Sequence, residues 1–396
     1  MRTSSPSFGF LGLVARRPPW LGVWPRVAVL SAALGLLSPG CSGAAGAPRA
    51  EPADAAGDAA LPDVSPPACQ GSTETLELAR GAIPTGPGTT SSFPPALLGL
   101  VRFDGDVWAL VGSPQGDLSV HLQFVRPGAT TRDVAVLSDV YQYGGGHYAY
   151  YAAPVVLDGR LCAVTSWEGA TLACEGGVLE DAGLGELEAH GRMVPPIVRP
   201  DGSMAVFAQT HSSYTVFERS AAGVWSEVEK YESSVSYPRD AVAAPGGPVS
   251  CFVDSDGRVK VDAEEAGGAM WASGVESDTC RVATDGVGLF ALAGETFFEL
   301  PGTDGQAVDG LAANDGDLGP LFVRGGATFV VAAREGQAEV VPVSGGAVSA
   351  PLSLGMDASD EYLVTEDAVW GVGWEDGATP GVITLRFSRA CLPPSP

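Results

Sequence analysis

APVVLDGRLCAVTSWEGATLACEGGVLEDAG, residues 153–183, holds four short apolar runs parted by Asp158-Gly159, Glu168-Gly169 and Gly177. Valine, threonine and leucine dominate the runs, as strands require, and Asp-Gly between two such runs marks a tight hairpin. Working outward, the same setting recurs at Asp104-Gly105, Asp201-Gly202, Gly246-Gly247, Asp285-Gly286, Gly325-Gly326 and Glu366-Asp367. Successive gaps are 54, 43, 45, 39, 40 and 41 residues. A period near 40 built from short strands and hairpins predicts an all-β, seven-bladed β-propeller. Further blades read the same way: PPIVR, SMAVFAQ, YTVFER and GVWSEVE in the third, and GPLFV, ATFVVAA, AEVVPV and AVSAPL in the sixth.

The last blade supplies only three strands, EYLV, AVWGVGW and GVITLRF, before the chain ends. An open blade would leave a bare sheet edge. The segment Thr73 to Ala79 (TETLELA) is therefore expected to close the ring as the missing outer strand. Cys69 lies just before that segment and Cys391 just after the third strand, which places the two side by side in an antiparallel pair. Their disulfide would clasp the ring. Cys162 and Cys174 flank Trp167-Glu168-Gly169 almost symmetrically, as facing hairpin positions do, and Cys251 and Cys280 remain to join neighbouring blades. No spacing resembles a zinc site, so disulfides in an exported chain are the expectation.

Arginines 2, 16, 17 and 26 precede the apolar run Val27 to Leu37, which ends at Ser38-Pro39-Gly40-Cys41. A basic region, a short apolar core and small residues describe a secretory signal, and eleven residues are too few to span a bilayer. The Leu-Ser-Pro-Gly-Cys ending resembles a bacterial lipobox, which implies lipid on Cys41. It departs from that pattern at Ser38, where leucine usually stands, and at Pro39. Ser42 would, by the same resemblance, direct the protein to the outer membrane of the cell envelope. Ordinary cleavage after Ala45-Gly46-Ala47, giving a secreted or periplasmic protein, is the competing reading. Residues 42–68 are almost wholly Ala, Pro, Gly, Asp and Ser, a composition that cannot bury enough apolar surface to fold and reads as a tether. The organisation is thus a signal over 1–41, a tether over 42–68 and a propeller over 69–396.

A net charge of −25 excludes nucleic acid as a partner and a polybasic grip on anionic lipid. Membrane contact is expected only through the anchor, and the propeller is expected to be a monomer. The ligand face of such a ring carries the loops joining second to third strands and one blade to the next. There the sequence places YQYGGGHYAYY, residues 141–151, with Tyr143, His147, Tyr148 and Tyr150. Tyrosines give flat apolar area with a polar tip, suited to a glycan or a protein ligand. Trp167, Glu168, His190, Arg192, His211, Tyr237 and Arg239 fall in same-face positions and complete the candidate ligand site. Acidic loops Asp254-Ser255-Asp256 and Asn314-Asp315-Gly316-Asp317 offer oxygen ligands for calcium but lack the EF-hand pattern, and no other metal or cofactor is expected.

Strand pattern and repeat length over residues 72–391 resemble the exported bacterial propellers of the sialidase-like group. The Asp boxes of that group are missing, and no arginine triad can be assigned from the sequence. Neither G-x-S-x-G, H-E-x-x-H nor a P-loop is present. The chain therefore reads as a binding or scaffolding module, with an exported carbohydrate-active hydrolase or lyase as the alternative.

Overall fold

Both faces of the segment Val107–Val111 (VWALV) are buried, and this explains the whole architecture. Trp108 and Leu110 enter one apolar cluster with Leu122, Phe124, Leu161 and Ala163, while Val107, Ala109 and Val111 enter another with Val372, Leu385 and Phe387. A sheet sandwiched between two others needs apolar residues on both sides, so its strands read as continuous runs rather than alternating ones.

The computed structural model describes residues 69–393, except for 87–88, 94, 116–118, 138–151, 166–170, 182–193, 210–213, 232–236, 264–269, 303, 309–310, 312–317, 344–349 and 378–380. The first strand, β1 (Ser72–Ala79), is followed by a hairpin, β2 (Gly81–Gly86) and β3 (Thr89–Phe93). Blade 1 is β4 (Ala96–Phe103), β5 (Asp106–Pro114), β6 (Val120–Val125) and β7 (Arg132–Leu137). Blade 2 is β8 (Ala152–Leu157), β9 (Arg160–Thr165), β10 (Thr171–Cys174) and β11 (Val178–Asp181). Blade 3 is β12 (Ile197–Val198), β13 (Met204–Gln209), β14 (Tyr214–Arg219) and β15 (Trp225–Tyr231). Blade 4 is β16 (Tyr237–Ala244), β17 (Gly247–Val253), β18 (Arg258–Asp262) and β19 (Trp271–Glu276). Blade 5 is β20 (Cys280–Thr284), β21 (Leu289–Ala293), β22 (Thr296–Leu300) and β23 (Gln306–Ala307). Blade 6 is β24 (Leu321–Arg324), β25 (Ala327–Arg334), β26 (Gln337–Pro342) and β27 (Leu352–Asp357). Blade 7 takes β28 (Glu361–Val364), β29 (Ala368–Asp376) and β30 (Val382–Cys391) from the end of the chain, and β1 as its outer strand.

These seven four-stranded sheets form a seven-bladed propeller. Seven buried clusters, one between each pair of neighbouring blades, make up its core. Burying one large apolar side chain in such an interface stabilises by about 2–3 kcal/mol. The first strands of the blades line the centre, and β28 meets β4 where the ring closes. Being edge strands on that side, they tolerate Pro154 and Pro238 within them without losing a ladder bond.

The closing strand pairs as expected: β1 runs antiparallel to β30, with Ser72 opposite Arg389 and Ala79 opposite Val382. All three disulfides form, Cys69–Cys391, Cys162–Cys174 and Cys251–Cys280. Cys162 and Cys174 face one another in the β9–β10 register, and Cys251–Cys280 joins blades 4 and 5. The hairpin turns use left-handed backbone at Asp104-Gly105 and Asp158-Gly159 (φ 56°, 84°, 50° and 69°), as two-residue turns of this hand demand.

Two details differ from the sequence reading. The fourth turn is Pro245-Gly246, with Gly247 already opening β17. The fourth strand of blade 6 is Leu352–Asp357, which starts at the last residue of AVSAPL; residues 347–349 of that run lie outside the described residues. There Met356 is buried against blade 7 while Leu352 stays exposed. Packing of Met356 decides the register, which propensity alone could not. The β2–β3 hairpin had no counterpart in the repeat pattern.

Candidate functional site

Strand alternation sorts the loops. Turns between first and second strands share one end of every blade, the turn face; loops between second and third strands, and between blades, share the other, the loop face. A cavity of about 1050 Å³ runs along the ring centre, walled by the first strands of blades 1, 4, 5, 6 and 7.

Arg239, at the loop-face end of that cavity, is the extra residue of a β-bulge. Pro238 pairs with Phe252 and Asp240 with Cys251, which leaves Arg239 unmatched and exposed. Bulges re-aim a side chain while the flanking ladder stays intact. The backbone here is pinned from both sides. Arg281 donates to the Arg239 carbonyl at 3.2 Å, and the Asp240 carboxylate accepts from the Ala241 and Val282 amides, each at 3.0 Å. Arg281 also donates to Gly319 and Cys280 carbonyls, each at 3.0 Å, and to the Leu318 carbonyl. One guanidinium on blade 5 thus joins blades 4, 5 and 6.

Blade 7 supplies the opposite wall, Ser359 to Tyr362. The Ser359 amide donates to the Tyr362 hydroxyl at 2.8 Å, and the Trp374 amide donates to Asp360 Oδ2 at 3.1 Å. Gly371 lets this segment lie close, since a Cβ there would stand 2.5 Å from Ser359 Oγ. Burial pushes the Tyr362 phenol above 10.0, the Ser359 amide opposes that, and neighbouring Asp360 adds to the rise, so the hydroxyl stays protonated at neutral pH. Trp374, 39% exposed, stands beyond Asp360 on the loop-face end of β29.

Of the residues singled out from the sequence, Arg239 is in this mouth. Tyr237 opens β16, where only its backbone is described. Tyr143, His147, Tyr148, Tyr150, Trp167, Glu168, His190, Arg192 and His211 lie outside the described residues, as does Asn314-Asp315-Gly316-Asp317. Asp240, Arg281, Asp360 and Tyr362 were missed. Their only sequence signal is a position at the start of a first strand, shared by all seven blades.

Asp254 is committed to its turn: Oδ1 accepts from the Asp256 and Arg258 amides, each at 2.9 Å, and Oδ2 pairs with Lys260 at 3.1 Å. Burial pulls its carboxyl upward, but these bonds outweigh that and hold it below 3.8. Asp285 is lowered by the Gly288 and Val287 amides, and Asp201 by the Ser203 hydroxyl and amide. Asp367 is lowered by Thr365 and Arg389 despite its burial. Depressed folded values mean stability that is fully present above the unfolded value and lost as pH falls through the folded ones. The urea midpoint should therefore hold steady from neutral pH to about pH 5 and drop below about pH 4, with Asp285→Asn removing part of the drop. A midpoint unchanged at about pH 3 would contradict this account.

No family model matches the chain, and no curated protein matches it. Among solved structures it is similar to virginiamycin B lyase from Staphylococcus aureus, at 10% identity and a TM-score of 0.48, over 80% of this chain and 99% of that one. It is also similar to the polysaccharide lyase Uly1, at 9% identity and a TM-score of 0.45, over 76% and 90%. A further similar structure is the PQQ-bound aldose sugar dehydrogenase from Streptomyces coelicolor, at 12% identity and a TM-score of 0.39, over 61% and 93%.

Proposed function

We propose that this chain is an exported cell-envelope protein, lipid-anchored through Cys41, whose propeller binds a glycan or protein ligand at the loop-face mouth of its channel. The observation that carries this reading is the bulge that presents Arg239 into the mouth. Its carbonyl and the next side chain are tied to blade 5, so the residue stands on a rigid strand rather than on a loop. Recognition groups fixed before binding cost little ordering entropy when the ligand arrives. Asp360 and Tyr362 across the mouth add an acceptor and a protonated hydroxyl, the groups that sugar hydroxyls and peptide amides recognise.

A glycan array, and pull-down from an envelope extract, tests the reading with wild-type protein and Arg239→Ala. Binding should weaken by roughly 10- to 100-fold in the variant, the range of an interface hot spot. Equal binding by both proteins would remove Arg239 from the site. Release of shortened or unsaturated sugars from an array hit would favour the hydrolase or lyase alternative.

A further inference from the structure

Of the three disulfides, the clasp alone is within reach of solvent. Cys69 and Cys391 are half-buried, whereas Cys162, Cys174, Cys251 and Cys280 are at most 2% exposed. A thiolate attacks only a sulfur it can touch, so thiols open the clasp before the other two. Little besides the ladder then holds β1. Its first four residues are exposed, and Leu76 and Leu78 pack, half-buried, against the cluster between blades 7 and 1. Arg80, just after β1, is ion-paired with Asp376, and its amide donates to the Gly381 carbonyl at 2.8 Å. All these partners lie on blade 7 or blade 1 of whichever ring receives the strand. A β1 from a second copy therefore remakes every contact, on a β30 edge that release of the first has bared.

The connection from β1 to β4 is long enough for such an exchange. Closing its own ring requires it to cross the four strands of blade 7, about 15 Å, whereas residues 80–95 reach about 50 Å when extended. The surplus is folded into the β2–β3 hairpin, whose strands pair with each other and with no third among the described residues. A lone two-stranded hairpin is marginal in water, so its length is released easily.

We propose that the blade 7 edge is an interaction surface for a second copy of this chain, opened by small-molecule thiols and filled by reciprocal exchange of β1. One thiolate attacks the Cys69–Cys391 bond, forming a mixed disulfide with one cysteine and leaving the other as a thiolate. A second thiolate displaces the first. Both cysteines end as thiols, taking up the protons that the attacking thiols gave up, and the attacking pair ends as its own disulfide. The reverse sequence, with Cys69 of one copy and Cys391 of another, regenerates two thiols and seals a covalent pair of rings.

The test mixes equal amounts of ordinary and isotopically heavy full-length chain, both carrying Cys41→Ala, in a buffer of reduced and oxidised glutathione. Alkylation and non-reducing peptide mapping then read every disulfide. Alkylation should appear first at Cys69 and Cys391. Bonds joining a light Cys69 peptide to a heavy Cys391 peptide should accumulate, while Cys162–Cys174 and Cys251–Cys280 peptides stay unmixed. The ratio of paired to single rings should fall about tenfold when the free single ring is diluted tenfold, by mass action. Absence of mixing after the clasp has been reduced and resealed overturns the proposal, because β1 then returns only to its own ring. Equal mixing at all three disulfides overturns it too, since that is unfolding, as does a clasp that resists thiols in the folded protein.

Discussion

Cys69→Ser together with Cys391→Ser lowers the thermal midpoint by about 5–10 °C, the largest loss expected from any one covalent link in the ring. The bond spans 322 residues, so it removes loop-closure entropy from the unfolded chain, about 6 kcal/mol in the chain-entropy view. It also acts where the fold has least redundancy. Blade 7 is the sheet whose outer strand comes from the other end of the chain, and β1 is held to β30 by its ladder and by this bond. Cys162→Ser with Cys174→Ser is the control. That bond spans 12 residues inside one blade and stabilises by about 3 kcal/mol on the same view. Calorimetry compares the two double variants. Hydrogen exchange should in addition quicken at β30 amides in the first pair alone, because loss of β1 bares that edge. Equal midpoints for wild type and the clasp variant would sink the closure argument.

Arg281→Ala should cost about 2–3 kcal/mol, the second large effect. Its guanidinium satisfies carbonyls of Arg239, Cys280, Leu318 and Gly319, and truncation leaves them facing each other across three blades. The residue is only partly buried, so water replaces some of these bonds and keeps the loss below that of a sealed site. Arg281→Lys should recover less than half, since an ammonium cannot spread donors over a planar fork. Urea unfolding measures both. A midpoint for Arg281→Ala within error of wild type would show that the blades do not depend on this residue. Ligand binding should fall with Arg281→Ala even under conditions where the protein is fully folded, because the Arg239 bulge loses its tie.

Much of the ring was legible in the chain because its information is local or covalent. Asp-Gly turns repeat at a fixed spacing, each blade repeats one strand pattern, and Cys69 and Cys391 bracket the whole array. Errors arose where local pattern competes with packing. The fourth strand of blade 6 runs on from Leu352, the last residue of AVSAPL, to Asp357, where Met356 finds a place to bury. Arg239 was found because it sits at a loop-face strand start, a placement the repeat itself supplies. Arg281 also sits at a first-strand start, but that position does not disclose its role. Its partners Gly319 and Arg239 are 38 and 42 residues away, and nothing in their sequence marks a carbonyl as awaiting a donor.

By itself, then, the sequence pointed to a propeller of about seven blades, its closing strand and its clasp, because periodicity, turn chemistry and cysteine position are properties of the chain as written, and the structure settled the count at seven. Only the tertiary structure decided which polar groups face the channel and which are already spent. Asp240 and Arg281 line the channel and are bonded to backbone groups, whereas Asp360 and Tyr362 become neighbours of Arg239's channel only once blade 7 meets blade 1. Hydrogen bonds between blades depend on positions in space, which closure of the ring creates.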